Sequence, residues 1–382
     1  MRNQVIKGVF WLASAKAIGQ VLTWIISIIV VRLLSPQDYG LMGMAILFTG
    51  FLLLFNELGL GSAIIQRQDL QKDQLSSLRW VVFVANVALF LAIVAIAPWV
   101  ADYFNEPRLV SIVRALGSSF VINGIGLPSA YLLQRNMEFK KKASAELFGS
   151  LVGAVTTLVL ATMGYGVWSL VIGSLALNAG SNIAYCVFAP PILSHAFSYR
   201  RIQDFVGFGF KVAVSRVLWY VASNADFMII GRVLGTVQLG FYSLAFQFSS
   251  LPLDKLVTLI TQVAYPSFSA MQNDDKRLQA SYLEITSAVA LITFPIFIGL
   301  ALVAHDAIEV FLTSRWLPVV VPMQLLCVVS CLRAVENLNA PLLVAKGQGG
   351  LLLRNGFAQA AVMPATFYIG AEYGIAGVAP KA

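Results

Sequence analysis

The chain has 382 residues, of which 58% are hydrophobic and only 12% charged, and its formal net charge is +8. Soluble domains carry about 25% charged residues, so roughly half the expected charge is missing and a soluble globular protein is excluded. Apolar stretches of about 20 residues recur from end to end, which predicts an all-α polytopic membrane bundle.

In chain order the predicted spans are 8–33, 41–64, 78–100, 111–133, 143–163, 166–188, 207–231, 237–262, 282–304, 318–344 and 354–371, followed by the start of a twelfth helix at "YGIAGVAPKA". The opening "MRNQVIK" and its apolar run resemble a signal peptide, but the run continues to Leu34, too long for an h-region. It is read as a retained first helix. The basic residues sit in short loops, a pattern that sets topology in membrane proteins and gives no reason to invoke nucleic acid. Fifteen Lys and Arg fall on the side of the N-terminus and five on the other, which predicts a cytoplasmic N-terminus. The cysteines Cys186, Cys327 and Cys331 lie in or beside apolar spans and are expected as free thiols.

An internal repeat follows. "RLLSPQDYGLMGMAILF" at 32–48 aligns without gaps on "RVLGTVQLGFYSLAFQF" at 232–248, with Arg32/Arg232, Leu34/Leu234, Gly40/Gly240, Ala45/Ala245 and Phe48/Phe248 identical. Weaker echoes pair Pro128 with Pro341 and "GYG" at 164–166 with "EYG" at 372–374. Six spans separate the copies, so both halves share one orientation. Two pseudo-symmetric parallel lobes of about six helices are expected, a repeat plan of secondary transporters that places the substrate path between lobes. The lobes are 1–200 and 201–382, and the C-terminal one reads as truncated, lacking its sixth helix.

Charges within the spans supply the candidate site. In "FWLASAKAIGQVLTW" Lys16 shares a helical stripe with Gln20, Thr23 and Ser27, and its repeat mate is Arg216, followed by Tyr220, Ser223, Asn224 and Asp226. A charge at membrane depth costs roughly 2.5–3.5 kcal/mol on insertion scales, so it faces protein or a watery cavity. The plain alternative for Lys16 is snorkelling to the headgroups. Glu57, Asn56, Arg333, Glu336, Asn337 and Asn123 are further intramembrane polar groups, for which the plain alternative is a helix–helix hydrogen bond. Asp254 and Lys255 sit nearer an interface. Cations suit a phosphate-bearing substrate, and Glu57, Asp226 or Glu336 could carry a coupling proton or Na⁺. The two histidines, His195 and His305, give no metal or catalytic constellation, and no Walker motif is present. No catalytic residue, metal or cofactor is expected.

The segment "VVRLLSPQDYGLMGMAILFTGFLLLFNELGLGSAIIQR" resembles the Wzx-type polysaccharide flippases, colanic-acid or lipopolysaccharide exporters in particular, of the multidrug/oligosaccharidyl-lipid/polysaccharide exporter superfamily. The pattern R-L-L-S-P-x-D-Y-G followed by "ELGLGSAIIQ" carries that resemblance over the first 70 residues. It implies 12 to 14 helices and movement of undecaprenyl-pyrophosphate-linked oligosaccharides across the bacterial inner membrane, by ion-coupled alternating access, for lipopolysaccharide or other polysaccharide biosynthesis. Partners would be the lipid-linked substrate, a coupling ion, and the polysaccharide polymerase and export machinery. On this reading Lys16, Arg216 and Arg333 hold the pyrophosphate, while Gln20, Asn123, Trp219 and Tyr220 contact sugar. Two alternatives stay open. A drug/cation antiporter of the same superfamily would want an acidic, aromatic cavity; a membrane-embedded glycosyltransferase or polymerase would want a donor-sugar site or a large catalytic loop.

Overall fold

A computed structural model describes residues 19–56, 72–191, 220–221 and 223–379. Helix is the only regular secondary structure among the described residues, and seven of the helices there are long and apolar enough to cross a membrane. The chain divides into two compact units, Met1–Val217 and Leu218–Ala382.

The first unit contains α1 (Gly19–Leu33), α2 (Pro36–Asn56), α3 (Lys72–Phe104), α4 (Leu109–Arg135), α5 (Phe139–Thr162) and α6 (Val167–Phe188). The "SPQD" motif starts α2 by a reciprocal cap. The Ser35 backbone N–H donates to Asp38 Oδ2 at 2.9 Å while the Asp38 N–H donates to Ser35 Oγ at 3.3 Å, with Pro36 at the first helical position, where its missing N–H costs nothing. At 33 residues, α3 measures about 50 Å at 1.5 Å per residue. It therefore extends past both ends of the expected 78–100 span and out of a hydrocarbon layer of about 30 Å.

Between α5 and α6 the backbones meet. A Cβ on Gly149 would lie 2.6 Å from the Leu177 carbonyl oxygen and 2.6 Å from the Ser181 backbone nitrogen. One on Gly153 would lie 2.9 Å from the Gly173 oxygen. Lipid gives apolar helices little hydrophobic reason to associate, so close packing of small residues holds such pairs.

The second unit contains α7 (Ala225–Val233), α8 (Gly235–Pro252), a π-helical turn at Leu253–Val257, α9 (Thr258–Ala270) and α10 (Asp275–Phe311). A 3₁₀ turn at Ser314–Val319 leads into α11 (Val320–Glu336), α12 (Asn339–Ala345), α13 (Gly349–Ala371) and the short α14 (Ile375–Val378). Two spans expected as single α-helices, 237–262 and 318–344, are interrupted here: the first changes to π-helix after Pro252 and stays helical, the second turns at Asn337–Leu338. The interruptions are neighbours. α8 packs on α11, and past them α9 packs on α12. At Asn337–Leu338 the backbone leaves the helix, and at membrane depth that persists only where protein or water satisfies its polar groups.

The turns repeat even where the side chains do not. Six of the eight positive-φ residues among the described residues fall at matched positions: Asn105 (54°) and Thr313 (137°) after α3 and α10, Met137 (58°) and Gly347 (69°) in the next turn, Gly166 (55°) and Gly374 (76°) before α6 and α14. The thiols of Cys186, Cys327 and Cys331 are free, the last two buried.

The loop between α3 and α4 is closed by a two-pronged ion pair. Arg108 Nε and Nη2 donate to Glu106 Oε1 and Oε2 at 2.8 and 2.9 Å. Those bonds hold the Glu106 carboxyl below the usual glutamate range. A carboxyl depressed in the folded state stabilises above its unfolded value, about pH 4.3, and that contribution fades as pH falls through the folded value. Because Arg108 is exposed, the effect stays below about 1 kcal/mol. Thermal midpoints of wild type and Glu106→Gln should therefore differ near neutral pH and converge below pH ~4; a constant gap would mean that the pair contributes nothing.

Candidate functional site

Of the expected site residues, Lys16, Glu57, Arg216 and Trp219 lie outside the described residues. The others are distributed over both units. Gln20 is exposed on α1, whereas Thr23 from the same stripe turns toward α5, its Oγ1 3.3 Å from Ser150 Oγ. Asn123 is half-buried on α4 and accepts a hydrogen bond from Asn182 Nδ2 at 2.9 Å. Tyr220 is half-buried, its carbonyl accepting from Asn224 Nδ2. Glu336 is exposed at the end of α11 and accepts from Gln359 Nε2 of α13 at 3.2 Å.

Asp226 and Arg333 come together. Asp226 sits in the first turn of α7, a helix that packs on both α8 and α13, and only 2% of its surface is exposed. Its Oδ1 accepts from the Phe227 backbone N–H at 2.9 Å, and its Oδ2 accepts from the Tyr242 hydroxyl at 2.7 Å. Tyr242 and Phe246 lie one turn apart on α8 and share a face. Phe227 meets both rings edge-on, with centroids 5.4 Å from each. Arg333 of α11 places its guanidinium carbon 6.0 Å from the Phe246 centroid, and its charge acts on both Asp226 and Tyr242. One turn along the same helix faces, Ser330 Oγ donates to the Ser249 carbonyl at 3.5 Å.

Chemically this is a buried carboxylate and a guanidinium joined through a phenol and two aromatic rings. A hydrogen bond to a buried carboxyl group contributes about 1–3 kcal/mol, and a half-buried cation over a ring about 0.5–2 kcal/mol. The arrangement holds a carboxyl group away from water on the same helix faces as a guanidinium, the side chain whose fork suits an anion. It is confined to the second unit. At the repeat offset of 200 Asp226 corresponds to Ile26, Tyr242 to Met42 and Phe246 to Ile46, and with the prolines aligned Arg333 corresponds to Phe120. The same helices therefore form in the first unit without any of the four polar or aromatic groups.

The first unit carries an amide ladder instead. Asn182 Nδ2 reaches both Asn123 Oδ1 and the Asn178 carbonyl, and Asn86 Nδ2 donates to the Val82 carbonyl at 2.9 Å. Asn86 Oδ1 and Asn182 Oδ1 are buried without a hydrogen-bond partner among the described residues. Gly124 permits the approach of α3, since a Cβ there would stand 3.3 Å from Phe83 Cα. Arg79, counted with the loop bases in the topology reading, turns into the helices and donates from Nη2 to the Ile125 carbonyl at 2.9 Å. Sequence reasoning missed Tyr242, Phe246, Asn182 and Arg79. For Asn182 a signal existed, two asparagines within the apolar "LNAGSNIAY"; for Tyr242 none did, because an aromatic in an apolar span looks like core.

Residues 29–321 match the family described as polysaccharide biosynthesis protein. The chain is 30% identical over 305 residues to the teichuronic acid biosynthesis protein TuaB of Bacillus subtilis (strain 168), covering 79% of this chain and 63% of that protein. It is 26% identical over 381 residues to the lipopolysaccharide biosynthesis protein WzxC of Escherichia coli (strain K12), covering 99% of this chain and 77% of that protein. Among solved structures it resembles the inward-facing form of a multidrug resistance MATE family transporter of the MOP superfamily, with a TM-score of 0.73 at 18% identity over 95% of this chain and 90% of that one. The lipid II flippase MurJ in an inward closed conformation gives the same TM-score of 0.73 at 16% identity over 96% and 83%. Both likenesses concern the fold, an all-α membrane bundle. A match running through three quarters of the sequence, from α1 to α11, places the chain in the polysaccharide biosynthesis protein family.

Proposed function

We propose that the chain moves lipid-linked oligosaccharide repeat units, carried on undecaprenyl pyrophosphate, from the cytoplasmic to the periplasmic leaflet of the bacterial inner membrane, with its N-terminus cytoplasmic. The transport runs by alternating access and is coupled to a proton or Na⁺ gradient. The observation that carries this reading is the family match over residues 29–321, with relatives named for teichuronic acid and lipopolysaccharide biosynthesis. The fold does not separate a flippase from a drug transporter, since both occur among its neighbours. The cations that the sequence places within the spans favour an anionic cargo. Arg333 is half-buried within α11, and the repeat pairs Lys16 with Arg216; these three cations hold the pyrophosphate. Gln20, Asn123, Trp219 and Tyr220 contact the sugar. Asp226, with Glu57 and Glu336 as the other candidates, carries the coupling ion. Polysaccharide polymerase and export proteins act on the product.

Complementation of a flippase-deficient strain with the gene, wild type against Lys16→Ala, tests the reading. Precursor should accumulate and periplasmic polymer fall at least tenfold in the variant at unchanged protein level. Normal polymer with Lys16→Ala would assign that side chain to snorkelling, and failure of the wild type to complement in any polysaccharide pathway would overturn the function itself.

A further inference from the structure

The α4–α5 turn and the α12–α13 turn have one backbone and opposite side chains. In the first, the Met137 N–H donates to the Gln134 carbonyl at 3.1 Å and the Glu138 N–H to the Leu133 carbonyl at 2.8 Å. In the second, Gly347 donates to Val344 at 3.0 Å and Gln348 to Leu343 at 2.8 Å. Both are helix C-caps closed by a left-handed residue. The second unit uses glycine there, without steric cost; the first uses Met137 at φ 58°, which costs roughly 1–2 kcal/mol.

The strained methionine does not pack inward. Its side chain is 72% exposed, and Phe139, two residues on, is 49% exposed. Around them stands "RNMEFKKK", four bases against one acid. Lys141 pairs with Glu138 at 3.0 Å, while Lys142 bonds the neutral Gln134 at 2.8 Å and Lys140 is exposed, so the segment keeps a net positive charge at the end of two apolar spans. At two other turns a base is matched by an acid: Arg108 by Glu106 and Lys346 by Asp275. Excess base beside two outward apolar side chains, at the level where the spans end, fits a surface of anionic phospholipid headgroups above acyl chains.

We infer that the turn formed by Arg135, Met137, Phe139 and Lys140–Lys142 is a binding surface for anionic phospholipid, with Met137 and Phe139 entering the acyl boundary and the bases holding headgroup phosphates. Native mass spectrometry of the full chain in detergent, with phosphatidylglycerol against phosphatidylcholine, reads this directly. Wild type should retain phosphatidylglycerol preferentially. Each lysine near a charged surface is worth about fivefold, so Lys140→Gln/Lys141→Gln/Lys142→Gln should cut the preference at least tenfold. Met137→Gly should weaken retention severalfold while leaving the thermal midpoint equal or higher, which separates lipid contact from folding. Lys276→Gln/Arg277→Gln, exposed bases at another helix start, should change nothing. Equal retention of the two lipids by wild type, unchanged retention in the triple or Met137→Gly variant, or an equal loss in the control pair would each overturn the assignment. So would displacement of the lipid by millimolar inorganic pyrophosphate, which would give the patch to a pyrophosphate head instead.

Discussion

Tyr242→Phe should lower stability by about 1–3 kcal/mol, and adding Asp226→Leu should restore most of it. The single change removes a 2.7 Å charge-assisted hydrogen bond from a carboxylate that is 2% exposed, leaving a buried acceptor underused. The double change removes both partners, and replacing a bonded polar pair by apolar groups of similar shape is nearly neutral. The first unit already builds the equivalent helices with Ile26 and Met42 at these positions, so the fold tolerates the exchange. Transport should not recover with stability: if Asp226 carries the coupling ion, the double variant folds and exports at least tenfold less polymer. Thermal midpoints in detergent, read beside complementation, separate the two effects. A double variant that is both stable and active would reduce the cluster to packing.

Gly149→Val should prevent accumulation of the protein. Its Cβ would stand 2.6 Å from two backbone atoms of α6, Leu177 O and Ser181 N. Backbone cannot rotate aside as a flexible side chain can, so α5 and α6 must separate. Overpacking costs typically 1–3 kcal/mol, and here it also breaks the neighbouring approaches of Gly153 to Gly173 and of Gly180 to Gly149. Gly149→Ala should already show most of the loss, because the first carbon makes the clash. Gly299→Ala is the internal control: nothing lies within 4 Å of the added carbon, and exchanging glycine for alanine inside a helix favours the helix by roughly 0.5–1 kcal/mol. Membrane abundance of the three variants checks the account. Wild-type levels of Gly149→Val would mean that the α5–α6 contact is looser than its geometry.

The membrane architecture was legible because hydropathy reports it directly: apolar runs of about 20 residues became helices wherever the structure describes them. Ends were less so. α10 runs from Asp275 to Phe311, well past the expected 282–304, because the capping Asp274, which accepts from the Arg277 N–H at 3.1 Å, lies in polar sequence outside the apolar core. The two interrupted helices were no more legible. Leu253–Val257 contains Asp254 and Lys255, a charged pair that reads equally well as lying nearer an interface, so it does not by itself announce a π turn. The repeat located the interhelical turns through Gly166 and Gly374, but it says nothing of which side chains meet across helices. The polar stripe set Asp226 near the edge of the face that carries Arg216, but did not show that its carboxyl group would be held by Tyr242 of the next helix. Such pairings depend on which faces meet, and one sequence records faces without partners.

The most direct measurement of the central claim is leaflet exchange in proteoliposomes holding the protein. A polyprenyl-pyrophosphate oligosaccharide is placed in both leaflets and an impermeant glycosidase is added outside. With wild-type protein and an ion gradient the enzyme should consume nearly all of the substrate; with Arg333→Ala it should stop near the half initially exposed. Consumption halting at one half with wild type, or running to completion in empty vesicles and variant alike, would contradict translocation by this chain.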